Sequence, residues 1–124
     1  MCPDRTAGGL RVPTTDERQL IARLLAANFT GAAELRPQLS VTLVDSIDDD
    51  GSLRLNPEGA SPADVSRRIP VEASYPDADG MTVHVLLHVI DGLLDELEVF
   101  REDSLPVLRP AASALDLAVD PWYE

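Results

Sequence analysis

The chain has 124 residues, with 22 Asp+Glu against 10 Lys+Arg, a formal charge of −12 and 44% apolar residues. That length and apolar fraction fit one folded domain rather than an acidic disordered chain. The charge disfavours nucleic acid and anionic membranes, which would repel it, and favours a basic protein partner.

Cys2, the single cysteine, permits no internal disulfide and no cysteine-based zinc cluster, and its setting reads as cytoplasmic. No apolar run reaches the roughly 18 residues of a membrane span, and His84 and His88 break the longest. The opening MCPDRTAGGLRV holds an acid and no apolar block. It reads as a flexible tail over residues 1–12, not a secretory signal, with a single domain over residues 13–124.

Thr14 and Glu17 have the spacing of a capping box, and Asp16 adds a second acid where a helix dipole favours it. Ile21, Leu25 and Phe29, beside Leu20 and Leu24, make one apolar stripe of a helix that Thr30-Gly31 stops. Residues 32–39 read as a further turn or two, shortened by Pro37. The period then changes to two. Val41, Leu43 and Ile47 mark a first strand, with Val44 on its other side. Asp48-Asp49-Asp50-Gly51 is a turn, and Leu53 and Leu55 mark a second strand. Inside the connection 56–68, Ser61-Pro62-Ala63-Asp64 has the form of a short helix start. Ile69, Val71, Ala73 and Tyr75 alternate as a third strand, and residues 76–80 form a turn. Residues 81–90 and 93–101 read as two long strands joined at Asp91-Gly92. Pro106 and Pro110 break the segment after the fifth strand. Leu115, Leu117 and Val119 alternate as an edge strand, with a helix as the other reading of residues 111–119.

The register of the long hairpin can be argued from its pattern. Val83, Val85, Leu87 and Val89 are apolar at odd positions, as are Leu93, Leu97 and Val99, whereas Glu96 and Glu98 are even. Odd must face odd, because a one-residue slip turns every side chain to the wrong face. An odd-length loop with Gly92 left-handed satisfies this. The five-residue loop 76–80 sets Ala73 near Val83 and Glu72 across from His84. The expected fold is α+β: an N-terminal helix, or two, packed on one face of a five- to six-stranded, mainly antiparallel meander.

The hairpin stretch from Val83 to Gly92, running into Glu96-Leu97-Glu98-Val99-Phe100-Arg101, resembles a family of small, acidic, uncharacterised bacterial proteins. The capped first helix, Glu34-Leu35-Arg36 with Gln38-Leu39, and Pro70-Val71-Glu72-Ala73 carry the rest of the likeness, over residues 13 to 119. Here Pro37 interrupts the second helix. The family implies no activity to transfer.

The face opposite the core carries Glu72, Ser74, Thr82, His84, Leu86, His88, Glu96 and Glu98. His84 and His88 stand roughly 13 Å apart along a strand, too far to share one metal. Either they form an acid/base patch with Glu72 and Glu98, or they are cross-strand polar pairs on a wet face. Asp48-Asp49-Asp50-Gly51 fails as a calcium loop, since Pro57 falls where the bidentate Glu belongs. Arg67-Arg68 reads as local charge balance, and neither a cofactor nor a metal is expected.

Three function classes fit these observations. The first is an interaction module that binds a basic partner, in the manner of immunity proteins or chaperones, through Glu72, Thr82, His84, Leu86, His88, Glu96 and Glu98. The second is a small enzyme or ligand-binding domain using His84, Glu72 and Glu98. The third is a structural homodimer through the same face, with Leu86 at its centre.

Overall fold

The computed structural model describes residues 9–109 and 116–119. Helix α1 spans Thr15–Leu25 and starts on the expected capping box. Thr14 Oγ1 accepts from Glu17 N at 3.1 Å, and Glu17 Oε1 accepts from Thr14 N at 2.9 Å. Arg11 donates twice to the same carboxylate, at 2.8 and 2.9 Å, and so lowers the Glu17 pKa. Arg11, within the stretch expected as a tail, also exchanges backbone hydrogen bonds with Val44.

The helix ends at Leu25, although its apolar stripe runs on. Arg36 Nε donates to Leu25 O at 2.7 Å and closes the carbonyl end, and Phe29 is buried from the loop beyond. Helix α2, Ala32–Leu35, begins at Gly31, whose φ of 86° and contact with Val65 exclude a side chain. Pro37 then tightens the chain into a 3-10 helix, Arg36–Val41.

Six antiparallel strands complete the described chain: β1 Thr42–Ser46, β2 Leu53–Pro57, β3 Val71–Pro76, β4 Thr82–Ile90, β5 Leu93–Arg101 and β6 Asp116–Val119. Their order in the sheet is β1-β2-β5-β4-β3-β6. The fold is α+β, as the periodicities indicate, and residues 116–119 form the strand rather than the helix. Ile21, Leu24 and Leu25 of α1 share one core with Val71, Val83, Val85, Leu87, Leu97 and Val99.

Four local readings are corrected. In β1 the faces are reversed: Thr42 and Val44 are buried, while Val41 and Ile47 are 43% and 46% exposed. The hydroxyl of Thr42 goes inward because Gln38 O accepts it at 2.7 Å. Ser61-Pro62-Ala63-Asp64 is not helical; Gln38 and Gly92 instead hold it as an irregular loop. The β3–β4 register differs by two residues. Pro76 pairs with Thr82, so Ala73 faces Val85 and Ser74, not Glu72, faces His84. Strand β3 reaches as far as Pro76, opposite Thr82, two residues beyond the stretch 71–74 that pairs with Asp116–Val119.

The fourth correction concerns the hairpin. Its odd-to-odd register is right: Val85 faces Val99 and Leu87 faces Leu97. The means differ. Asp91 and Gly92 form a two-residue turn, with φ of 54° and 76°, and Ile90 pairs with Leu93. A bulge at Asp95 then changes the parity, so Leu94 is buried at 1% exposure where Leu93 was expected inward.

Candidate functional site

The outer face of β4 and β5 brings together most of the polar residues singled out in the sequence. His88 lies opposite Glu96, because the bulge at Asp95 restores its register there. Its Nε2 lies 2.8 Å from Glu98 Oε1. Its Nδ1 accepts from Arg68 Nε at 3.1 Å. A guanidinium only donates, so the ring proton sits on Nε2 and is given to Glu98. Arg68 is held in place by its backbone, whose carbonyl accepts Val89 N at 2.7 Å. Both ring nitrogens of His88 are thus engaged, and its side chain is 10% exposed.

Ligand atoms of His88, Glu96 and Glu98 lie within 4.8 Å of one another. The surroundings do not suit a cation. A metal-bound imidazole donates its second N–H to a carboxylate or carbonyl, whereas here that nitrogen faces a guanidinium. Arg68, His88 and Glu98 instead form one hydrogen-bonded chain.

His84 belongs to a separate group. Its Nε2 lies 3.0 Å from Glu102 Oε1, and its ring stacks on Phe100 with centroids 5.1 Å apart. Glu72 lies opposite Leu86 instead, and Glu98 stands on the other flank of Leu86. Between these two strands Leu86 is only 5% exposed. Thr82 is half-buried at the end of β4, where its carbonyl accepts Glu102 N at 2.9 Å. The expected His84–Glu72 pair does not form, since the register shift separates it.

Sequence reasoning missed Phe100 and Glu102, and it read Arg68 as charge balance without finding His88 as its partner. Phe100 and Glu102 were accessible, because both continue the even parity of Glu96 and Glu98. Arg68 lies in a loop, where no period places it.

A second polar cluster sits at the inward end of β5. Arg101 is 4% exposed and donates to Asp77 and Asp79 at 3.0 Å each, and to Asp103 at 3.0 and 2.7 Å. Asp77 also accepts from the backbone of Ala78, Leu108 and Arg109. Burial acts to raise the Asp77 pKa, but these hydrogen bonds outweigh it and hold the pKa at about 2. The Arg101 hydrogen bonds bring Asp103 to about 2 as well. Burial, helped by the charge of Asp77, pushes the Tyr75 hydroxyl up to about 12 while it donates to Arg109 O. Asp77 and Asp79, read as turn chemistry, do form that turn but are consumed by this network. The Asp48 side chain likewise serves its own turn, accepting Asp50 N and Ser52 N. Cys2 lies outside the described residues.

Residues 10–111 match a family model described as "Domain of unknown function (DUF6984)". The chain belongs to that family. No curated protein and no solved structure matches the chain. Among the described residues, no helix is long and apolar enough to cross a membrane.

Proposed function

We propose that this member of the family is an interaction module whose outer sheet face receives a basic protein partner. The observation that carries the reading is the composition of that face. Glu72, Glu96, Glu98 and Glu102 stand there against Arg54 and Arg68, with Phe100, 38% exposed and stacked on His84, in the same face. An exposed ring among carboxylates suits an arginine, which stacks on one and pairs with the others. The formal charge of −12 steers such a partner toward the molecule.

Two other readings have less support. The acid/base reading needs His84 beside Glu72 and Glu98, and the register instead sets His84 opposite Ser74 and Phe100, with Glu102 on its Nε2. A dimer centred on Leu86 has little apolar area to gain, because that side chain is already covered. The groove at residues 58–62 and the cleft at Thr30 and Val65 are lined by residues away from this face.

A low-salt pull-down with wild type and with the Phe100→Ala and Glu96→Gln/Glu98→Gln variants tests the reading. Basic proteins should be retained by wild type, released by salt and lost from both variants. Acidic partners, or retention indifferent to salt, would sink it.

A further inference from the structure

Away from that face, the 3-10 helix and the loop 58–64 enclose an open groove of about 440 Å³, in the size range of small-molecule sites. One wall carries Glu34, Pro37, Gln38 and Val41, and the other runs from Glu58 to Pro62.

Three contacts fix how the walls run. Val41 O accepts Glu58 N at 3.0 Å, Gln38 Nε2 donates to Ser61 O at 3.0 Å, and Glu34 Oε1 accepts Asp64 N at 3.0 Å. The walls are therefore antiparallel, with Glu34 at one end and Glu58 at the other. The rises of α and 3-10 turns separate residues 34 and 41 by roughly 13 Å along the wall.

The groove is also rigid. Gln38 is 2% exposed, and its amide bonds both Ser61 O and Gly92 O while its carbonyl accepts Leu94 N. One side chain thus ties the 3-10 helix to the loop and to the hairpin, so the shape exists before any ligand arrives. The lining between the two carboxylates is largely apolar: Pro37, Val41, Ala60 and Pro62. No basic side chain lines it, and Arg36 turns away to Leu25 O and Ala27 O.

An elongated apolar slot with an anion at each end complements an elongated molecule with a cation at each end. We propose that the groove binds a linear aliphatic polyamine, with its methylene chain along Pro37, Val41, Ala60 and Pro62 and one ammonium at each of Glu34 and Glu58. This site is independent of the outer sheet face and of whatever that face recognises.

Octamethylenediamine, which carries one ammonium at each end and only methylenes between, is the probe, titrated calorimetrically into the full chain. A single site is expected. Glu34→Gln and Glu58→Gln should each weaken it about tenfold, since each substitution keeps the hydrogen-bond acceptor and removes only the charge. Ala60→Leu should abolish binding by filling the slot, and a thermal melt of each variant establishes that it is folded. Glu96→Gln/Glu98→Gln, on the outer face, should leave the titration unchanged. Multiple weak sites would overturn the proposal, as would equal weakening by the outer-face variant, because the −12 charge alone would then account for the binding. So would a titration indifferent to both Glu34→Gln and Glu58→Gln.

Discussion

The hairpin β4–β5 carries two polar clusters that differ in how deeply their central ion pair is buried. Arg101, at its inward end, sits among Asp77, Asp79 and Asp103 with 4% of its surface exposed. His88, on its outward side, bonds Arg68 and a Glu98 whose side chain is 41% exposed. Both join an arginine to carboxylates, and the second places a histidine between them. Burial makes the Arg101–Asp77 pair at the centre of the first cluster obligatory, since removing either side chain leaves the other's charge without water. Among the described residues no buried side-chain polar atom lacks a hydrogen bond. The second cluster can lose a member to solvent, so its carboxylates remain available to a partner.

Removing Asp77 should expose this difference most clearly. Asp77→Ala leaves Arg101 short of a buried counter-ion and orphans Leu108 N and Arg109 N. A melting temperature lower by on the order of 15 °C is expected, together with loosening of residues 105–109 in hydrogen exchange. A melting temperature within a few degrees of wild type would mean that the cluster is no more structural than the outer one.

Packing comes next. Leu87 has no exposed surface and faces Leu97 across the hairpin. Leu87→Ala should cost about 2–5 kcal/mol through lost burial and the cavity left behind. Denaturant unfolding that hardly changes would reverse the inward assignment of the odd positions.

Those odd positions were legible because alternation over nine residues leaves one register that keeps apolar side chains together. The capping box was legible for a similar local reason: Thr14, Asp16 and Glu17 satisfy a helix start without help from the rest of the chain. Long-range chemistry was not. Arg101 has the inward parity of Val99, yet nothing local announces that Asp77, 24 residues earlier, will meet it. Asp95 was hidden because a bulge and an odd loop solve the same register problem. Parity set the even residues of β4 on one side, yet Leu86 and His88 there are buried rather than open to water, and the two-residue shift of β3 gave His84 the wrong neighbour, so the Glu72 pairing failed.

Acid should separate the clusters again. Asp77 and Asp103 have folded pKa values near 2, against an ordinary 3.8. A lowered pKa adds stability above the ordinary value, and that stability is lost as pH falls from 3.8 through about 2. The melting-temperature gap between wild type and Asp103→Asn should therefore be full at neutral pH, shrink below pH 3.8 and close near pH 2. A gap that is independent of pH would place its origin in shape rather than charge.

The smallest effect on stability should come from the outer cluster. His88→Ala should still leave a folded protein, with a loss of about 1–2 kcal/mol from its two hydrogen bonds. Glu98→Gln is gentler still, because the amide oxygen continues to accept the Nε2 proton and only a half-exposed charge disappears. Stability should then stay within about 0.5 kcal/mol of wild type. If the face receives a basic partner, the same substitution should weaken association and flatten its dependence on salt, since one attractive charge has gone from the rim. Thermal melts and binding measured on one preparation separate the two quantities. A Glu98→Gln variant that melts as early as Asp77→Ala would show the outer cluster to be structural too, and the face would lose its claim to recognition. One that keeps both its stability and its affinity would move the partner away from β4 and β5.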